Sequence, residues 1–243
     1  MAFDEDEILP GWETARGPHG GYVMALLVRA MERAVDDDTR QPRSLTTHFL
    51  RPPAVGPITT SATVERAGRS MTTVTARLEQ DGKPVALGIG AFAGAYGGPD
   101  IGARPMPDVA PPGEAAPPLP GAPPVTERLV LQPRFGDAPF TGSQDPHVGG
   151  WIDLRESGPI DGPALCVLAD GWYPAIWPQL GTFSPAPTID LTVHVRAPLP
   201  VIGPLLTRFT SRLSRDGYFE EDGELWAKDG TLVAQSRQLA LLL

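Results

Sequence analysis

The chain is predicted to be α+β: two tandem units, each a buried helix wrapped by an antiparallel sheet, with the two sheets joined edge to edge into one. Three observations predict this. The first is an internal repeat. His48–Pro57 (HFLRPPAVGP) has a relative at Val193–Pro204 (VHVRAPLPVIGP), and Ala76–Ala86 (ARLEQDGKPVA) has one at Leu225–Ala234 (LWAKDGTLVA). Arg51 aligns with Arg196 and Gly82 with Gly230, so the repeat is two copies of one fold unit rather than a short-period array. The second is a change from helical to strand-like hydrophobic period, which happens twice in the same order. The third is a proline-dense stretch between the copies, residues 99–124 (PDIGARPMPDVAPPGEAAPPLPGAPP), where missing backbone donors favour an extended surface linker. The expected division is therefore an N-terminal unit at 1–98, a linker at 99–124 and a C-terminal unit at 125–243.

In the first copy, Tyr22, Ala25, Leu26, Ala30 and Met31 follow helical spacing, and Leu27 and Val28 broaden the apolar face. A helix apolar on most sides is one buried nearly all round. Pro18 and Gly20–Gly21 stand just before it, where a helix start tolerates them. After Pro42 the pattern becomes SLTTHFLRP, ITTSATVERAG, MTTVTARLEQDG and PVALGIGAFAG, four strands punctuated by Gly, Pro and Asp, with Asp81–Gly82 as a hairpin turn. The second copy opens with the strand ERLVLQPRF. A helical segment follows, DGPALCVLADGWYPAIW, expected to be central over residues 163–177 as 22–35 is in the first copy. Then come TIDLTVHVRAP, LLTRFTSRLSRDG, YFEEDGELWAKDG and TLVAQSRQLALLL as strands. One buried helix followed by four antiparallel strands is the hotdog plan, and two joined copies make a double hotdog whose junction covers exposed strand edges.

Composition narrows the function. The 243 residues are 41% hydrophobic, ample for a buried core, and a net charge of −9 argues against nucleic acid as a partner. The acidic runs Asp4–Glu7 and Asp36–Asp38 read as solvated surface. No apolar run reaches the length of a membrane span, and the opening MAFDEDEILPGW does not read as a signal peptide. A single cysteine, Cys166, sits in an apolar run and reads as a small core residue. His48 and His194 lie on strands without metal-ligand partners, so no metal is implied. No Gly-x-Ser-x-Gly elbow is present, which disfavours a serine hydrolase. Asp145-Pro146-His147 has the wrong spacing for a hydratase signature and reads as a turn. A soluble homo-oligomer in the cytoplasm is the expectation.

GPHGGYVMALLVRAM followed by HFLRPPAVGP resembles the amino-terminal half of the acyl-CoA thioesterase II family, and Leu168–Ala175, PTIDLTVHVRAP and DGTLVAQSRQ resemble its carboxy-terminal half. The resemblance implies hydrolysis of an acyl-CoA to free fatty acid and CoA, within fatty acid metabolism, with no cofactor. It also implies a hydrolytic Asp, Thr and Gln from the second hotdog, which fall on Asp170, Thr188 and Gln238. The His19-Gly20-Gly21 turn before the first helix is a candidate for binding the thioester or a CoA phosphate, or else a tight structural turn.

The repeat gives an independent reading of these positions. Gln238 aligns with Gly90 and Thr188 with Arg43, while the first helix has no carboxylate before Glu32. One active site per chain follows, with the first copy as its structural partner. Each residue also has a plainer reading: Asp170 as a cap or turn acceptor, Thr188 as an ordinary strand residue, Gln238 as a satisfied core amide. By strand alternation Asp190 shares a face with Thr188 and is the rival carboxylate. Two other functions stay open at this level, a non-catalytic acyl-thioester-binding protein and a hotdog hydratase or dehydratase.

Overall fold

The computed structural model describes residues 6–102, 105–114, 121–156 and 158–243. Part of the acidic run at Asp4–Glu7 and parts of the expected linker, 103–104 and 115–120, lie outside the described residues. Helix α1 spans Gly20–Val35, and every residue from Gly21 through Val28 is buried, as its all-round apolar sequence requires. His19 caps its start: the imidazole accepts a hydrogen bond from Tyr22 N. Asp36 ends it in the left-handed conformation. Four strands follow, β1 (Gln41–Phe49), β2 (Thr59–Ala67), β3 (Thr72–Gln80) and β4 (Lys83–Ala93). The β3–β4 turn has positive φ at both Asp81 and Gly82, the hairpin geometry that an Asp-Gly pair favours. Helix α1 lies against β2, β3 and β4. Gly88 and Gly90 permit the close approach: a Cβ on either would sit under 3 Å from the Met31 side chain.

The second copy supplies β5 (Leu129–Phe135), β6 (His147–Leu154), helix α2 (Gly162–Leu168), β7 (Thr188–Val195), β8 (Leu205–Thr210), β9 (Tyr218–Trp226) and β10 (Leu232–Leu241). The ten strands form one antiparallel sheet in the order β2-β3-β4-β1-β7-β10-β9-β8-β6-β5. A two-residue strand at Ser214–Arg215 also pairs with β9. The copies meet at β1 and β7, paired from Ser44–His194 to His48–Asp190. There the Thr46 and Thr192 hydroxyls share a hydrogen bond of 2.9 Å. Helices α1 and α2 pack on each other within one apolar core drawn from both copies. This is the expected double hotdog.

The copies match in detail. His19 and Asp161 are both N-caps, each accepting from the backbone N–H three residues on. Arg51 N and Arg196 N both donate to the valine opposite, Val85 O and Val233 O. Both junction strands carry a bulge at the same place, between Pro42 and Ser44 on β1 and between Thr188 and Asp190 on β7. Pro42 faces Phe92 while Thr188 faces Ala240, so the bulges align Thr188 with Pro42 rather than with the expected Arg43.

Two expectations need correction. Helix α2 does not run over 163–177; it stops at Leu168. Asp170 N and Gly171 N reach back only three residues, to Val167 O and Leu168 O, so the helix tightens and ends. Pro174 has no N–H with which to continue it, and a single 3₁₀ turn follows at Trp177–Gln179. Strand β6 is an addition to the expected strands, because Gly149 and Gly150 interrupt its pattern. Those glycines bulge the ladder, and both have positive φ. They face neighbouring backbone so closely that a Cβ would lie 2.2 Å from Thr207 O at Gly149 and 2.1 Å from Gln132 O at Gly150.

Residues 105–114 have no helix or strand and lie as a strap over part of the sheet's outer face. Met106 and Val109 pack on Trp151, Leu206 and Trp226. Trp151 Nε1 donates to Ala110 O at 2.9 Å, and the Gln132 amide holds Gly113 through both its N–H and its carbonyl. A 3₁₀ turn at Pro124–Glu127 then leads into β5.

Gly149→Ala is expected to destabilise the chain by at least the roughly 1–3 kcal/mol of a strained backbone position, since the strand must also move away from Thr207 O. Urea unfolding of the variant beside wild type measures it.

Candidate active site

The site begins where the N-terminus of α1 meets the C-terminal end of α2. Gly20 and Gly21 allow the contact. A Cβ on Gly21 would lie 2.6 Å from Cys166 O, and one on Gly20 would lie 2.9 Å from Asp170 Oδ2. With the glycines in place, Gly21 N donates to Asp170 Oδ2 at 2.7 Å. His19 completes the grip. Its Nδ1 accepts from Tyr22 N at 3.2 Å, so the proton of the neutral ring is on Nε2, which donates to Asp170 O at 2.7 Å. The same Nε2 is 3.5 Å from Asp170 Oδ2. The carboxylate thus faces the positive end of the α1 dipole. Burial pushes its carboxyl above the ordinary carboxylate range, while His19 and the Gly21 N–H pull the other way.

His19 and Gly21 are therefore engaged with Asp170, across the boundary between the copies. Gly21 N, Tyr22 N and Val23 N all have partners. Among the described residues, no protein acceptor takes the N–H of Gly20.

Thr188 and Gln238 come together on the inner face of the sheet. Thr188 Oγ1 donates to Gln238 Oε1 at 2.8 Å. The amide's other end donates to Glu221: Gln238 Nε2 to Glu221 Oε1 is 2.7 Å, with both side chains buried. Glu221 Oε2 in turn accepts from Ala175 N at 2.5 Å. The chain Ala175–Glu221–Gln238–Thr188 spans the post-α2 segment, β9, β10 and β7. No hydrogen bond joins Asp170 to Thr188 or Gln238 among the described residues. Asp170 is coupled to the cluster through Glu221, whose proton affinity its charge raises.

Glu221 is a polar residue of the site that the sequence reading does not single out. Burial pushes its carboxyl up to about 7, against the pull of the Ala175 N–H and the Gln238 amide, with Asp170 and Glu220 adding repulsion. The signal that would have found it is the repeat itself. Gln238 is flanked in the sheet by Leu191 and Glu221, and Gly90 by Leu45 and Val74, so Val74 is the counterpart of Glu221. The matched N-caps align Asp170 with Val28. Where the second copy has Asp170, Thr188, Glu221 and Gln238, the first has Val28, Pro42, Val74 and Gly90.

The bulge at Thr188/Asp190 also removes the rival. Thr188 pairs with Ala240 and Leu191 with Gln238, so they share the inner face; Asp190 pairs with Leu239 and His48 on the opposite one. Strand alternation alone misplaces it, because the extra residue resets the period. Asp145-Pro146-His147 is a turn: Asp145 Oδ1 accepts from both His147 N (3.0 Å) and His147 Nδ1 (2.7 Å).

A continuous antiparallel sheet around two central helices defines a double hotdog protein, with the polar cluster near the helix junction as its candidate site. Residues 8–93 match the family model of the acyl-CoA thioesterase N-terminal domain and residues 104–242 that of the C-terminal domain. The chain belongs to this acyl-CoA thioesterase family. Among solved structures, a hot dog fold protein of unknown function from Alicyclobacillus acidocaldarius is 27% identical, with a TM-score of 0.88 over 98% of this chain and 91% of that one. A putative thioesterase II from Thermobifida fusca is 31% identical, with a TM-score of 0.82 over the same 98% and 91%. An acyl-CoA thioesterase II from Mycobacterium marinum shares the fold at 20% identity and a TM-score of 0.76, covering 92% of this chain and 88% of its own. No curated protein sequence matches significantly. Among the described residues, no helix is long and apolar enough to cross a membrane.

Burial of Glu221 has a measurable consequence. Between its ordinary value of 4.5 and about 7, the folded chain retains a proton on Glu221 that the unfolded chain has lost. The contribution of this residue to stability is therefore full at acid pH and falls as pH rises through that window. Glu221→Gln carries no such titration. Relative to wild type it should gain about 3 kcal/mol across the window, at about 1.4 kcal/mol for each pH unit. Urea unfolding of both proteins across that range gives the difference.

Proposed function

We propose that the chain hydrolyses an acyl-CoA to a free acid and CoA, using a water held by Asp170, Thr188 and Gln238. The observation that carries this reading is the asymmetry between the copies. One fold unit is built twice, and at four matched positions of one copy only, polar side chains, buried at Glu221 and Gln238 and half-buried at Asp170 and Thr188, replace apolar residues or glycine. Burying such groups costs stability unless they are paired, and a framework residue has no need of them. Asp170, its proton affinity raised by burial, is the general base that takes the water's proton as oxygen attacks the thioester carbon. The Gly20 N–H, at the positive end of α1, is the donor offered to the developing oxyanion. His19 and Gly21 hold Asp170, so their part in binding substrate is through the shape of this turn. The thiolate of CoA departs and is protonated, with no covalent enzyme intermediate and no cofactor required. The acyl chain lies between the helices and the sheet. The same reading extends to a cytoplasmic homo-oligomer acting in fatty acid metabolism, with light scattering as the check on assembly.

Thiol release from acyl-CoAs of graded chain length tests the reaction. Asp170→Asn should lower kcat by roughly 10²–10⁴-fold, the loss typical of removing a general base, with KM little changed. Gln238→Ala should cost less, because an amide orients water without taking its proton. Asp190→Asn, on the far face of the sheet, should stay near wild type. An inactive Asp190→Asn beside an active Asp170→Asn would mean the site is elsewhere. Binding of acyl-CoA without thiol release at any chain length would instead support a carrier of acyl thioesters.

A further inference from the structure

We propose that Glu221 is a positioning residue of the hydrolytic site: by accepting from Gln238 Nε2 it fixes which way the Gln238 amide points and thereby which way the Thr188 hydroxyl donates. The proposal rests on the thioesterase reading for its kinetic consequences and on geometry alone for the orientation.

The two ends of an amide have nearly the same shape, and a threonine hydroxyl can donate or accept, so the Thr188–Gln238 contact leaves its own polarity undetermined. Glu221 breaks the tie. Its Oε2 is committed to Ala175 N and its Oε1 lies 2.7 Å from the Gln238 amide. A carboxylate only accepts. The amide must therefore turn its NH2 toward Glu221 and its carbonyl toward Thr188, which makes Thr188 the donor to Gln238 Oε1 at 2.8 Å. The lone pairs of Thr188 are then left for the site. A water that donates one proton to Thr188 and the other to Asp170 keeps its own lone pair for the thioester carbon. With an apolar residue at 221, as Val74 is in the first copy, nothing would choose between the two amide orientations.

Protonation of Glu221 reverses the sequence of bonds. A carboxyl group that donates through Oε1 meets the carbonyl of a flipped Gln238, whose NH2 then faces Thr188. The Thr188 hydroxyl must now donate into the site and competes with Asp170 for the water's lone pair. The charged groups acting on Glu221 are Asp170, from the segment after α2, and Glu220, from its own strand, and both favour the proton. His19, on α1, acts on Asp170. The wild-type enzyme is therefore expected to lose kcat as pH falls below about 7, the range in which burial places this carboxyl.

Three measurements on the full chain test the proposal. By NMR, the Glu221 side-chain carboxyl carbon and the Gln238 side-chain NH2 signals should titrate with one midpoint near neutrality; Gln238 signals that ignore Glu221 would overturn it, whether or not the protein turns over any substrate. In the kinetics, Glu221→Gln should lower kcat about 10–100-fold, the effect of losing a hydrogen bond to a charged group. KM should stay within about two-fold, and the fall in kcat with a midpoint near 7 should disappear, leaving only the fall that protonation of the base Asp170 causes. An unchanged acid limb overturns the proposal. The pair E221Q/Q238A should be no slower than Gln238→Ala alone, because the two residues act as one unit, and multiplicative losses would contradict it. Should Glu221→Gln fold poorly, the exchange E221Q/Q238E supplies the second variant. There the Ala175 N–H donates to the carbonyl of the new amide on β9, the NH2 of that amide donates to the new carboxylate on β10, and Thr188 still donates to β10. That exchange should exceed Gln238→Glu alone about ten-fold or more in kcat, because Gln238→Glu alone sets two carboxylates face to face, and no gain over it would overturn the proposal. If wild type releases no CoA from any acyl-CoA, the thioesterase reading fails, and the NMR titration still decides the orientation of Gln238.

Discussion

The contact on which the rest of the structure depends is the one between the first turn of α1 and the residue just past α2. Gly21 N and His19 Nε2 both donate to Asp170, each at 2.7 Å. It is a bond between copies, not within one. The carboxylate belongs to the second hotdog, and the groups that orient it belong to the first. Under the proposed function, this is why two hotdogs share one site. A single unit would have the carboxylate without the helix dipole, or the dipole without the carboxylate. The glycine pair that opens α1 is part of the same constraint, since any side chain there would push the helices apart.

The electrostatics of the site are those of several acids in little space. Glu221 is buried and Asp170 half-buried, Asp170 raises the cost of ionising Glu221, and each carboxylate accepts from a backbone N–H rather than from a lysine or arginine. Backbone donors stabilise a carboxylate without neutralising it. The result is two acids whose proton affinities lie above the ordinary range, the condition a general base needs near neutral pH. A salt bridge would have held the same carboxylates more firmly and made them weaker bases. Exposed pairs on the outer face, such as Asp222 with Arg237 and Arg212, show that opposite outcome: there the carboxyl is held below its usual range.

The asymmetry between the copies shows how a repeat separates framework from function. Val28, Pro42, Val74 and Gly90 serve the fold in the first copy, and the second copy tolerates four polar residues at the matched places because each has a partner: Thr188, Gln238 and Glu221 bond in a chain, and Asp170 is held by the first turn of α1. The bulges at Pro42/Ser44 and Thr188/Asp190 belong to the framework, since both copies have them. Only the second is put to use, where it turns Thr188 onto the face of Gln238.

The sequence by itself determined the double architecture, the burial of α1, the run of four strands in each copy and the hairpin at Asp81–Gly82. Those are local or periodic signals: apolar spacing, glycine at positive φ, and motifs repeated in order. Asp170, Thr188 and Gln238 of the proposed site are what the resemblance to the thioesterase family implies, with the repeat as support. What only the tertiary structure decided were features set by contacts between distant segments. Helix α2 ends at Leu168, where Asp170 N and Gly171 N reach back only three residues, and the chain beyond it is tied to β9 by Ala175 N at Glu221. Strand β6 exists because its glycines fit between the backbones of β5 and β8, where no period is legible. A bulge sends Asp190 to the far face, and an extra residue in a strand leaves no mark in composition. Glu221 stands in a strand rich in acids, EEDGE, and looks in sequence like its neighbours. Its contacts with Ala175 N and the Gln238 amide separate it from them, and those contacts belong to the fold rather than to the residue.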